Sequence, residues 1–206
     1  MIFGGDLASI VSVFGTLIIA ITVHEFAHAV IADALGDPTP RSQGRISLNP
    51  LKHLDLLGSM LFLVAGFGWG KPVMTNPRNY RMGIRTGTAI VAAAGPISNL
   101  TLALLIAIPI RLGFFTEGFM ATFANLFIRL NVFLMVFNLI PIAPLDGYKV
   151  ALGLLPDNLA IPFGRLERFG PILLLLLIMS SRFGFNLFGA IIGPPVNLTT
   201  RLLLGA

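Results

Sequence analysis

Four uninterrupted apolar runs, at roughly 7 to 35, 88 to 112, 119 to 140 and 171 to 193, decide what this chain can fold into. Each reaches the length of about 20 residues that carries an α-helix across the hydrocarbon core of a bilayer. No water is available there, so every backbone N–H and C=O must be satisfied within the segment, and helix is the state that does this. Only 11% of the 206 residues are charged and 55% are hydrophobic, against about 25% charged in an ordinary soluble domain. The expectation is an all-α polytopic membrane protein, multi-pass in the cell membrane, with about four to six transmembrane helices. The first run has no basic leader and no cleavage site of small residues, so it reads as a retained helix and not a signal peptide. No repeat or polar linker divides residues 1–206, which read as a single membrane-embedded domain.

Charge supplies the orientation. Seven of the fourteen Lys and Arg residues, Arg41, Arg45, Lys52, Lys71, Arg78, Arg81 and Arg85, fall between the first and second long runs. Basic residues collect on the cytoplasmic side of a membrane protein, which accounts for the net charge of +5 without nucleic acid as a partner. A shorter run, "LDLLGSMLFLVAGFGWG" at 54 to 70, has basic flanks on both sides and holds Gly58, Gly66, Gly68 and Gly70. It reads as a re-entrant or interfacial element and not a crossing. Before it, "GRISLNP" alternates in the manner of a short strand. After it, Pro72 and Pro77 hold "WGKPVMTNPRNY" extended. The fold expectation thus includes a short β or re-entrant element after the first helix.

The first run ends with three ionisable residues within five positions: His24, Glu25 and His28, an H-E-x-x-H pattern. Four residues on a helix leave two side chains about 40° apart and about 6 Å along the axis, so both imidazoles can address one ion with Glu25 beside them. That is the arrangement of two metal ligands and a general base. A charge at the centre of a spanning helix costs about 2.5 to 3.5 kcal/mol on insertion scales, and a divalent metal is the partner that would offset three such residues. A catalytic zinc takes a third protein ligand and keeps one position open. The chain has no cysteine, which leaves His53, Asp55, Asp33, Asp146 and a few loop carboxylates. Asp33 stands about 140° around the helix from His28. Asp146 is the better choice, because Pro141 and Pro144 break the helix before it and Gly147 permits a turn behind it. Two crossings after the first helix return the chain to the same face at Asp146, provided that 54 to 69 does not span.

These residues carry a resemblance. "HEFAH" on a membrane helix, "AAGPISN" at 93 to 99 and "NLIPIAPLDG" at 138 to 147 occur in the order found in the site-2 proteases, intramembrane zinc metalloproteases. The chain is especially similar to compact prokaryotic members in "GRISLNPLKHLDLLGS" and "FGWGKPVMTNP", over nearly its whole length to about residue 195. The resemblance implies that His24, His28 and Asp146 bind Zn2+, that Glu25 is the catalytic base, and that Asn99 and Asn138 lie beside the substrate path. Ala143 stands where the family often has proline. No PDZ or CBS segment is present, so control by such modules is not implied.

The implied activity is hydrolysis of peptide bonds within or next to the transmembrane segments of membrane-protein substrates, in regulated intramembrane proteolysis or membrane-protein turnover. Its active site would sit near the cytoplasmic side, where water reaches it. A helical substrate would have to unwind and could add as a strand to the 44 to 48 or 70 to 77 region. Asn99 and Asn138 either bind its opened backbone or tie helices together. The competing readings are a metal or ion transporter and a non-catalytic relative that binds membrane proteins. The first needs polar residues along a full pathway, and here they cluster at one depth. Three roles stand open for His53 and Asp55: contact with the site, capping of the following helix, and a place at the interface. Trp69 and Tyr80 read as interfacial anchors, the phenylalanine-rich stretches as lipid-facing or packing surfaces, and Arg165, Glu167 and Arg168 as the solvated start of a helix. Substrate identity and oligomeric state are not legible.

Overall fold

The computed structural model describes residues 7–55, 58, 70–115 and 117–205. Its helices are α1 (Leu7–Ala34), α2 (Ile84–Arg111), α3 (Gly118–Asn138), α4 (Asp146–Leu154), α5 (Asp157–Gly164), α6 (Gly170–Met179) and α7 (Leu187–Leu204), with a single helical turn at Thr39–Ser42. Four of them, α1, α2, α3 and α7, are long and apolar enough to cross a membrane. The protein is an all-α, multi-pass membrane protein.

The central member is α2, which packs on α1, α3 and α4. One end of the bundle is filled by Ala103 and Ala107 of α2 and Ile128 and Val132 of α3, with Leu203 and Leu204 from the end of α7. The other end is filled by Ile140, Leu145, Leu177 and Ile192, with Phe133 and Phe137 stacked on each other and both in contact with Phe188 near the start of α7. Late residues of α7 therefore meet the middle of α3, and early ones meet its end. The two helices run antiparallel.

The fourth apolar run does not form the helix expected at 171 to 193. It breaks into α6 and α7 around Ser180–Phe183 and Gly184, whose φ of +82° is a left-handed conformation that suits glycine. Asn186 then caps α7 by accepting from Gly189 N–H at 3.0 Å. The spanning helix lies eleven residues later than hydropathy alone places its end, carrying Pro194 and Pro195 within it.

The short strand expected at 44 to 48 is absent. Among the described residues there is no strand, only an isolated antiparallel bridge between Leu54 and Gly70. Side chains have taken the hydrogen bonds that a sheet would use. Arg45 Nη2 donates to the carbonyls of Lys71 and Pro72, the latter at 2.6 Å, and His53 Nε2 donates to Ser47 O at 2.6 Å. Residues 56–57 and 59–69, with the expected re-entrant run and Trp69, lie outside the described residues. Arg45, counted in sequence among solvated charges, is 5% exposed. Tyr80 is no interfacial anchor: at 5% exposure it packs on Ala32 and Val91, lying where any side chain at position 87 would go. Arg165, Glu167 and Arg168 are exposed just ahead of α6, as their charge demands.

Candidate metal centre

Three elements meet at one point. The fifth and sixth turns of α1 bring His24 and His28, the first residue of α4 is Asp146, and α2 passes behind the histidines at Gly95. Asp146 Oδ2 lies 3.0 Å from His24 Nε2 and 3.1 Å from His28 Nε2, and the two Nε2 atoms are 3.0 Å apart. The imidazoles meet edge to face at 83°. α2 can approach this closely because residue 95 is glycine: a Cβ there would stand 2.5 Å from Nε2 of both histidines.

The hydrogen bonds behind the rings fix their protons. Asn131 Nδ2 donates to the Phe127 carbonyl, which can only accept, so Asn131 Oδ1 faces Asn99. Asn99 Nδ2 must then donate, to Asn131 Oδ1 at 3.1 Å and to Ala20 O at 3.2 Å. This turns Asn99 Oδ1 to His24 Nδ1 at 2.7 Å, and that nitrogen carries the proton. His28 Nδ1–H likewise donates to Val91 O at 2.7 Å. In the neutral form of each ring Nε2 is then a bare lone pair turned on the other ring and on a carboxylate, an arrangement that repels unless a cation sits among them. The separations lie near the edge of about 3.3 Å of a tetrahedron with zinc bonds of about 2.0 Å. The group could hold a metal ion, with the outer hydrogen bonds that orient ligating histidines already in place.

A cavity of about 180 Å³ opens beside the three side chains, lined also by Glu25, Asn138, Tyr80 and the Pro72–Val73 edge. Glu25 is half-buried and its Oε2 accepts from Val73 N–H at 3.0 Å. Asn138 is on the wall. Its Nδ2 donates to Leu134 O at 3.0 Å, and its Oδ1 has no hydrogen-bond partner among the described residues. Asn99 is not on the wall. It is fully buried with its whole amide engaged, so it ties α1, α2 and α3 together and orients His24, leaving no group for a substrate. His53 is also fully buried outside the cavity, bonded to Ser47, and has no accessory place at the site. Asp55 receives Gly58 N–H at 2.8 Å in the manner of a helix cap. Asp33 is paired with Arg41 Nη2 at 2.6 Å, away from the centre.

Comparison with known proteins supplies the family. The chain is 41% identical over 174 residues to "Putative zinc metalloprotease YwhC" of Bacillus subtilis, covering 80% of this chain and 78% of the relative. The chain belongs to the site-2 protease family. It is also 31% identical over 136 residues to "Putative zinc metalloprotease Rip2" of Mycolicibacterium smegmatis, covering 64% of this chain and 52% of that protein. A Rip2 of Mycobacterium tuberculosis is 28% identical over 186 residues, 88% and 71% of the two chains. No family model matches the chain, and no solved structure matches it. The family's cofactor is zinc, which suits the donor set of two imidazoles and a carboxylate. A metalloprotease role follows for this site-2 protease chain.

Sequence reading of the site missed Asn131, Val91, Val73 and Arg45. A signal existed for one of them: Asn131 and Asn138 are seven residues apart with only apolar residues between them, and so share a face of the helix. Backbone groups such as Val91 O and Val73 N–H leave no mark in sequence.

Proposed function

We propose that the protein is an intramembrane zinc metalloendopeptidase that cleaves peptide bonds within or next to transmembrane segments, with His24, His28 and Asp146 as the metal ligands and Glu25 as the general base. The observation that carries this is the approach of Asp146 Oδ2 to within 3.0 and 3.1 Å of the Nε2 atoms of His24 and His28, with Glu25 on the wall of the same cavity. Zinc held there supplies a Lewis acid for the scissile carbonyl and lowers the pKa of water from near 16 to about 7.

The chain's own groups do the rest. Val73 N–H holds one oxygen of Glu25 and leaves the other to take a proton from water and return it to the departing amine nitrogen. Asn138 Oδ1 is placed to accept an N–H from an unwound substrate, and the extended residues 70–77 offer an edge beside it. His28 stands six residues before the end of α1, about 9 Å along its axis, and the basic residues that follow favour a cytoplasmic position for that end. Water thus has a short route to the centre.

The deciding experiment measures zinc content and cleavage of a transmembrane substrate in detergent for wild type, Glu25→Gln and Asp146→Ala. Stoichiometric zinc with no cleavage in Glu25→Gln, and weakened zinc in Asp146→Ala, are the expected results. Full zinc occupancy in Asp146→Ala would remove Asp146 from the ligand set, and cleavage surviving Glu25→Gln would place the chemistry elsewhere.

A further inference from the structure

Arg129 lies on α3 eleven residues after Gly118 and nine before Asn138, about 16 Å and 14 Å from the two ends of the span. Its side chain is exposed, and no hydrogen bond, ion pair or ring contact among the described residues engages it. Neither interface is within a side chain's reach, so snorkelling does not relieve it. Arginine at this depth is among the residues least tolerated by lipid, and ionisable residues inside membranes almost always face protein or water and pair with one another or with backbone carbonyls. The polar character extends along the helix. Thr122 and Asn125 fall on the same flank, within about 60°, and turn their donors back to Gly118 O and Ala121 O.

This flank adjoins α7. Phe133 and Val136, one and two turns beyond Arg129, belong to the cluster that includes Phe188 and Val196 of α7. Of the four spans α7 is the least covered, with 11% of its apolar window buried against 28% to 39% in the others, and it exposes Asn197 near its middle. A second copy of the chain cannot satisfy the charge. The acidic residues within the four spans are Glu25, which faces the cavity, and Asp33, which is paired with Arg41. Another copy would bring a second Arg129.

We propose that the α3–α7 flank docks a transmembrane helix of another membrane protein that carries an aspartate or glutamate near its midpoint, the carboxylate pairing with Arg129. The complementarity is of charge and depth, and it is independent of the chemistry assigned to Glu25.

The test uses the full chain in phosphatidylcholine vesicles with a fluorescent leucine-rich peptide of about 21 residues, bearing aspartate or leucine at its centre, and reads association by energy transfer. The aspartate peptide is expected to bind wild type about tenfold more tightly than the leucine peptide. That preference should vanish in Arg129→Leu, persist in Arg129→Lys, and weaken when the aspartate is moved one turn toward either end. Zinc content equal to wild type certifies that the variants are folded. Equal binding of the two peptides to wild type, or a preference that survives Arg129→Leu, would overturn the proposal. Loss of the preference in phosphatidylglycerol vesicles would assign Arg129 to a lipid phosphate instead. Energy transfer between two labelled copies that disappears in Arg129→Leu would assign the flank to self-association.

Discussion

At the scale of single residues, a methyl group is enough to close the metal centre. Gly95→Ala places a Cβ 2.5 Å from both Nε2 atoms, backed by a helix that cannot retreat, so the rings must turn. Zinc affinity, read by competition with a chelator, is expected to fall about 10- to 100-fold, the usual cost of disturbing ligand orientation, and an unchanged affinity would contradict the geometry. Asn131 acts at one remove. Asn131→Leu deprives the Asn99 amide of its acceptor and frees it to present Nδ2 to His24, favouring the tautomer with the proton on Nε2; zinc affinity should drop about tenfold, with Asn131→Asp retaining more of it. His24, Glu25 and His28 were legible because a helix converts a spacing of four into adjacency. Asp146 was legible from the prolines that break the helix before it and the glycine behind it, with the count of crossings as a check. The true role of Asn99 was not, because a polar residue inside a membrane looks the same whether it faces a substrate or a neighbouring helix.

At the scale of elements, the segments around the site are held by side chains more than by backbone ladders. Alternation at 45 to 48 suggested a strand, yet Arg45 and His53 claimed the carbonyls a partner strand would have needed. Asp37 does similar work: it is fully buried and accepts from Thr39, Asn76 and Asn79, joining the end of α1 to the 70–77 segment. Burial pushes its carboxyl upward, but these hydrogen bonds outweigh it and hold the group below the ordinary carboxylate range. A depressed folded value stabilises above the unfolded pKa of about 3.9 and loses that contribution as pH falls through the folded one. Wild type should therefore melt higher than Asp37→Asn at neutral pH, with the gap narrowing as the solution is acidified below pH 4. A constant gap would mean that the carboxylate charge contributes nothing. The break at Gly184 was hidden for a different reason: hydropathy registers apolar length and is blind to a reversal of φ inside it.

At the scale of the whole molecule, the proposed metal ligands come from α1 and α4, which are separated in sequence by two spans. Zinc should thus behave as a crosslink between the first crossing and the helix that follows the third. Chelation is expected to lower the melting temperature by about 5 to 10 °C at free zinc near 100 times Kd, measured in detergent with and without a zinc buffer, and Asp146→Ala should abolish the difference. The three long helices α1, α2 and α3 were legible because apolar length is set by bilayer thickness; how α6 and α7 divide the last run was not.

Val73 belongs both to the cavity wall and, through its N–H, to the carboxylate of Glu25. One backbone group thus serves two neighbours. A guest that pushed this wall outward would draw the Val73 N–H away from Glu25, whereas a thin, extended one lying flat along it would leave that hydrogen bond whole.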